Sequence, residues 1–201
     1  VIVDPPRLDL AAMMKHKTDT VAANVNGVAY LFKKNKVDSW RGVARIVGAG
    51  KIEVSGADGA IQTLDAKAIV IATGSTVATL RDATGAEIVL DEKIVLSSTG
   101  ALALDKVPKQ LAIIGGGVIG LEMGSVWSRL GAKVTVIEYL DRILPGFDLE
   151  IATRFQKVLE KQGFTFRLAS KVTGVTRTKT GAKVAFSSVD GATSETLDAD
   201  A

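Results

Sequence analysis

The stretch that most constrains this chain is residues 111–138, LAIIGGGVIGLEMGSVWSRLGAKVTVIE. It opens with a short, continuous apolar run, breaks into Gly115, Gly116 and Gly117, and resumes with apolar spacing suited to a helix from about Val118 to Leu130. Gly131 follows as a helix stop, and a second apolar run, Val134 to Ile137, ends at Glu138. Strand, helix and strand within about 30 residues is the βαβ pattern, which places the two strands in parallel. The G-x-G-x-x-G spacing at Gly115, Gly117 and Gly120 is a weak signal alone, but here it follows a strand and opens a helix. It is also followed, 23 positions after Gly115, by an acidic residue at the end of the next strand.

Each residue of that turn has a chemical reason. Gly115 permits the tight turn, Gly117 leaves the backbone open to a pyrophosphate, and Gly120 lets helix and strands pack closely. The exposed amides and the dipole of the helix N-terminus favour phosphate charge. Glu138 is placed to accept hydrogen bonds from the adenosine ribose, and its charge disfavours a 2′-phosphate, which selects NAD over NADP. Glu122 lies one turn into a helix that reads as largely buried. A carboxylate facing the interior would be costly unless paired, and the local sequence names no partner.

Elsewhere, residues 8–35 read as a helix behind Asp9, with Val21, Val25, Val28 and Phe32 on one stripe and a bend expected at Gly27. Short β-type runs follow from Val37 to Val54, with a hairpin signal at Asp58-Gly59. The run AIVIA, 68–72, ending in Thr73-Gly74-Ser75, suits a strand buried on both faces. Residues 76–92 are irregular and read as a connection between domains. A helix from about Asp148 to Gln162 is capped by Asp148 and directs Ile151, Phe155, Val158 and Leu159 inward. The tail from Lys171 to Leu197 reads as two or three strands turning at Gly181 and Asp190-Gly191. The segments LDAKA (64–68) and LDADA (197–201) each follow a glycine-bearing hairpin, an internal echo that implies two similar domains. The second copy would then lack its final strand, so the chain is expected to be truncated at both ends.

Composition narrows the alternatives. The 201 residues are 47% hydrophobic and 23% charged, with a formal charge of +3, values of a globular rather than a nucleic-acid-binding chain. With no cysteine, the chain contains neither a disulfide nor a thiolate metal site of its own, and no metal is expected. No apolar run reaches the roughly 18 residues of a membrane span. The single His16 lies in MMKHK with no carboxylate or nucleophile nearby, and Trp40, Trp127 and the three methionines read as packing residues.

Taken together, ATGS at 72–75, SSTGAL at 97–102, residues 113–138 and RILPGFD at 142–148 resemble the flavin-dependent pyridine nucleotide–disulphide oxidoreductases, most closely their lipoamide-oxidising branch. The resemblance implies an α/β fold: a Rossmann-like three-layer NAD-binding domain with a β-meander over residues 76–201, preceded by the rear of a similar FAD-binding domain over 1–75. It implies FAD contacts at Ala44, through the backbone, and at Thr73, Gly74 and Ser75. NAD contacts would come from Gly115, Gly116, Gly117, Val118, Ile119, Gly120, Leu121 and Glu122, then Glu138, with Val172 near the adenine. It also implies that Glu122 supports catalysis by pairing with a Lys beside the flavin, outside this chain. The whole protein is then expected to be a homodimer that oxidises dihydrolipoamide on a lipoyl domain of a 2-oxoacid dehydrogenase or glycine cleavage complex, in a bacterial cytoplasm or mitochondrial matrix. The chain departs from the pattern in lacking an N-terminal FAD glycine motif, a redox Cys pair, a C-terminal His-Glu pair and the prolines usual after ATGS, so alone it is not expected to turn over lipoamide. Two other readings are another flavin disulphide reductase or NADH oxidase, and a non-catalytic NAD-binding or assembly module.

Overall fold

A computed structural model describes residues 7–201, so the first six residues of the expected 1–75 domain lie outside the description. The chain divides into two compact units, one containing Val77–Ala201 and the other Ala12–Thr76.

The 12–76 unit holds nearly all of helix α1 (Leu10–Lys34) and a meander of β1 (Val43–Gly48), β2 (Lys51–Ser55) and β3 (Ile61–Asp65), paired antiparallel in that order. Helix α1 runs unbroken through Gly27. Its stripe is also bare: Val21, Val25, Val28 and Phe32 are 43–59% exposed, and no residue of α1 is buried. Among the described residues no helix, this one included, is long and apolar enough to cross a membrane.

The AIVIA run is not a strand. Residues 68–72 are unpaired and irregular, with Val70 87% and Ile71 74% exposed. A strand buried on both faces takes its order from flanking strands and covering layers, and none of the described strands pairs with this segment. Trp40, expected to pack, is likewise 45% exposed.

In the 77–201 unit, the short helix α2 (Ser98–Ala101) leads into the expected βαβ element: β4 (Gln110–Ile114), α3 (Val118–Arg129) and β5 (Lys133–Ile137). The two strands are parallel, with Ile113 opposite Val136 and Ile114 opposite Ile137. Helix α4 (Leu149–Lys161) returns the chain to β6 (Thr165–Arg167), a three-residue strand not foreseen from the sequence, which extends the parallel sheet beside β5. The meander β7 (Ser170–Arg177), β8 (Ala182–Ser188) and β9 (Ser194–Ala199) completes the unit.

The side-chain alternation of β4 explains the layering. Ile113 faces α3, where a β-carbon at Gly124 would lie 2.7 Å from its Cδ1. Ala112 faces the other way, against a cluster of Ile137, Val184 and Phe186 under the meander. Helix α3 therefore approaches the sheet through glycines, and Val134 and Val136 are buried to 1% and 0% exposure. Both long helices of this unit end as expected. Gly131 and Gly163 take φ of +112° and +98°, and the amides of Ala132 and Phe164 donate back to Trp127 and Leu159 at 3.0 Å, the Schellman arrangement. Asp148 caps α4 by accepting from the Ile151 amide at 3.0 Å. The inward face of α4 is narrower than its sequence suggests: Ala152 and Leu159 are buried, whereas Ile151, Phe155 and Val158 are 57%, 37% and 46% exposed. A helix lying on one sheet buries only its arc of contact.

The echo of LDAKA and LDADA has a structural counterpart. Lys51 pairs with Asp65 and Ile52 sits opposite Leu64, while Lys183 pairs with Asp198 and Val184 sits opposite Leu197. The two meanders thus share a cross-strand pattern. Beyond β9, the Asp200 amide donates to Gln110 and the Ala112 amide to Ala201, both at 2.9 Å, so the chain continues alongside β4.

Candidate nucleotide-binding site

The β4–α3 turn runs through Gly115, Gly116 and Gly117, each in a different setting. Gly115 has φ +104°, a conformation that penalises any side chain, and its amide donates to Ile137 at 2.8 Å. Gly116 is buried, its amide donating to Glu138 Oε2 at 2.6 Å and its carbonyl accepting from Leu144 at 2.9 Å. Gly117 is the N-cap of α3, extended at φ −79° and ψ 174°, and supplies no side-chain cap. A β-carbon there would meet nothing within 4 Å. The first-turn amides of α3 have no partners within the helix and lie at the positive end of its dipole.

Glu138 is not a solvated strand end. It is 7% exposed, and both oxygens are engaged: Oε2 with Gly116 and Oε1 with the Leu140 amide at 2.7 Å. The RILPGFD loop closes over the same point. Ile143 is fully buried, and Leu144 takes φ +51° as its amide reaches the Gly116 carbonyl.

Beside the turn lies an open cavity of about 240 Å³, lined by Ile114, Gly115, Glu138 and Val172 among others. Three expected nucleotide residues, Gly115, Glu138 and Val172, therefore share one recess. Leu80, Arg81, Ile88, Tyr139 and Lys171 line it too, and sequence reasoning missed them. Leu80, Arg81 and Ile88 belong to the segment read as a connection. It is a compact turn in which Asp82 Oδ1 accepts from the Thr84 and Ala86 amides, Arg81 and Glu87 pair through their backbones in an isolated antiparallel bridge, and the Ala83 amide donates to the Thr173 carbonyl. Its D-A-T-G sequence was the available turn signal.

The remaining expected residues lie as follows. Val118 and Ile119 are 42% and 60% exposed on α3, Leu121 is buried beneath them, and Gly120 packs on the sheet. Glu122 is exposed on α3 and needs no partner within this unit. In the other unit, Ala44 sits on β1 opposite Val54, and Thr73, Gly74 and Ser75 form an exposed segment in which Gly74 has φ +76°. His16 is exposed on α1.

Helix Ser98–Ala101, from the SSTGAL motif, is tied to the same framework. Ser97 caps it through the Thr99 amide, and the Ala101 carbonyl accepts from the indole N–H of Trp127 at 3.1 Å.

A parallel βαβ element with a glycine turn, an open helix N-terminus and an acidic strand end defines the Rossmann-type dinucleotide-binding class. A model of the pyridine nucleotide-disulphide oxidoreductase family matches residues 5–201, and the chain belongs to that family. It is 51% identical over 195 residues to dihydrolipoyl dehydrogenase 3 of Pseudomonas putida, covering 97% of this chain and 41% of that protein. It is also 51% identical over 174 residues to the mitochondrial dihydrolipoyl dehydrogenase of Dictyostelium discoideum, covering 87% of this chain and 35% of that one. The crystal structure of LpdA from Mycobacterium tuberculosis superposes over 98% of this chain and 42% of its own, with a TM-score of 0.77 at 24% identity, a likeness of fold. The chain spans about two-fifths of the length of the first of these relatives.

Proposed function

We propose that this chain is the NAD-binding part, with a portion of the FAD wall, of a flavoprotein that oxidises dihydrolipoamide. The observation that carries this reading is the empty space at Gly117, directly in front of the uncapped N-terminus of α3 and beside the cavity that Glu138 and Val172 line. The amides from Gly117 onward hold the pyrophosphate, and the helix dipole favours its charge. Glu138 retains lone pairs for the adenosine-ribose hydroxyls and opposes a 2′-phosphate. Val172, Leu80 and Ile88 give the recess an apolar wall suited to adenine. FAD and NAD, when bound, supply the hydride chemistry of the reaction.

In this reading Ala44, Thr73, Gly74 and Ser75 contact FAD, and the exposed Glu122 faces a Lys beside the flavin. The whole protein is then a homodimer serving a lipoyl domain of a 2-oxoacid dehydrogenase or glycine cleavage complex, in a bacterial cytoplasm or mitochondrial matrix. The high identity to two dihydrolipoyl dehydrogenases supports this choice over another disulphide reductase.

Calorimetric titration of the protein with NADH, NADPH and FAD tests it. NADH is expected to bind more tightly than either of the others. Equal affinity for NADH and NADPH, or none for NADH, overturns the NAD assignment. At the level of the whole protein, flavin absorbance that dihydrolipoamide fails to bleach overturns the substrate.

A further inference from the structure

We propose that Glu138 is a positioning residue for the glycine turn, holding it in its nucleotide-ready shape before any nucleotide arrives. This deepens the NAD reading and rests on it. The carboxylate bridges two segments of backbone: Oε2 accepts from Gly116 at 2.6 Å and Oε1 from Leu140 at 2.7 Å. Gly116 is gripped on its other side as well, because its carbonyl accepts from Leu144 at 2.9 Å. Both polar groups of one residue in the turn are thus held by the segment that follows β5.

The fit leaves little slack. A β-carbon at Gly116 would lie 3.3 Å from Glu138 Oε2 and 3.2 Å from Ile143 Cγ2. Glycine at 116 therefore serves the carboxylate, whereas glycine at 117 serves the ligand, since nothing lies within 4 Å of a β-carbon there. It follows that the Gly116 amide is spent inside the protein, and that the amides offered to the pyrophosphate begin at Gly117. Charge-assisted hydrogen bonds are the strong ones, and a carboxylate has acceptor capacity beyond these two. Bracing the turn and receiving a ribose hydroxyl are therefore compatible roles for one side chain.

Glutamine cannot perform the brace. Its single carbonyl oxygen can accept from Gly116 or from Leu140, and its amide N–H₂ then confronts the other donor. The test compares wild-type protein with Glu138→Gln for two ligands: NADH, and NADH lacking both hydroxyls of the adenosine ribose. A brace predicts that the substitution weakens both ligands, each by about tenfold, the loss expected for one charged hydrogen bond. An affinity for the hydroxyl-free analogue that Glu138→Gln leaves unchanged overturns the proposal, because Glu138 then acts through the ribose alone.

Hydrogen exchange on the ligand-free wild type needs neither a variant nor a ligand. The Gly116 amide is expected to exchange more slowly than that of Gly117, and equal rates overturn the brace. Wild-type protein that fails to bind NADH while its Gly116 amide stays protected would remove the NAD reading and leave the brace standing.

Discussion

Gly120 packs directly onto Gly115: a β-carbon at position 120 would lie 2.9 Å from the Gly115 carbonyl oxygen and 2.9 Å from Ile113 Cγ2. At Gly117, three residues earlier, a β-carbon would meet nothing within 4 Å. Glycines in one motif therefore answer to different demands, one to packing and one to ligand access. Gly120→Ala is expected to destabilise the protein by about 1–3 kcal/mol through overpacking, read as a lower urea midpoint. Gly117→Val, at an ordinary extended backbone conformation, is expected to leave the midpoint nearly unchanged and to weaken NADH binding by about tenfold or more, the loss of at least one charged hydrogen bond. A midpoint that collapses in Gly117→Val, or an NADH affinity that does not move, would contradict this division.

Glu138→Ala removes both the negative charge and the oxygen that holds Gly116. NADH affinity is expected to fall, and the preference for NADH over NADPH to narrow, because the repulsion of a 2′-phosphate goes with the charge. Parallel titrations with the two nucleotides measure it. An unchanged ratio would remove Glu138 from nucleotide selection.

Trp127 is 2% exposed and donates its indole N–H to the Ala101 carbonyl. Trp127→Phe keeps most of the ring and leaves that carbonyl without its partner, at an expected cost of about 1–3 kcal/mol. Trp127→Ala adds a cavity and is expected to cost about 3–5 kcal/mol. Urea unfolding of the two variants separates the hydrogen bond from the packing. Equal losses would mean that the hydrogen bond contributes most of what the side chain does.

Asp91 caps a tight turn. The amide of Ile94, followed by those of Lys93 and Val95 and by the Arg177 guanidinium, holds its carboxyl well below the ordinary value of 3.8. A carboxyl depressed in the folded state stabilises the fold above the unfolded-state value, and that contribution is lost as pH falls through the folded-state value. The melting temperature of the wild type is therefore expected to drop as pH falls below about 4. Asp91→Ala should melt lower at neutral pH and lose less on acidification. A variant whose acid-induced drop matches the wild type would exclude Asp91 as a source of it.

How far the sequence could be read depended on the range of the interactions involved. The βαβ element, both Schellman stops, the Asp148 cap and the meander turns were legible because each is decided within a few residues: φ > 0 at Gly115, Gly131 and Gly163, and a carboxylate three residues before an amide. The three-residue β6 escaped notice because so short a segment has no periodicity of its own and forms only against β5. The AIVIA run failed for the opposite reason. Its composition promised a strand buried on both faces, but burial needs neighbours, and Val70 and Ile71 stand exposed without them.

The sequence by itself determined where the glycine turn lies, that a helix follows it, and that an acid stands at the end of the next strand. Backbone sterics and the placement of single residues settle those matters locally. Only the tertiary structure decided what the acid does in the folded chain. A carboxylate 22 residues from Gly116 reaches its amide because the parallel pairing of β4 with β5 brings the two strand ends together. The same pairing, with the turn at Asp82 and the start of the meander at Ser170–Val172, places Leu80, Ile88 and Val172 around one recess. The motif spacing that links residues 115 and 138 does not reach residues 80 and 172, whose proximity to them is a property of the sheet and not of the chain.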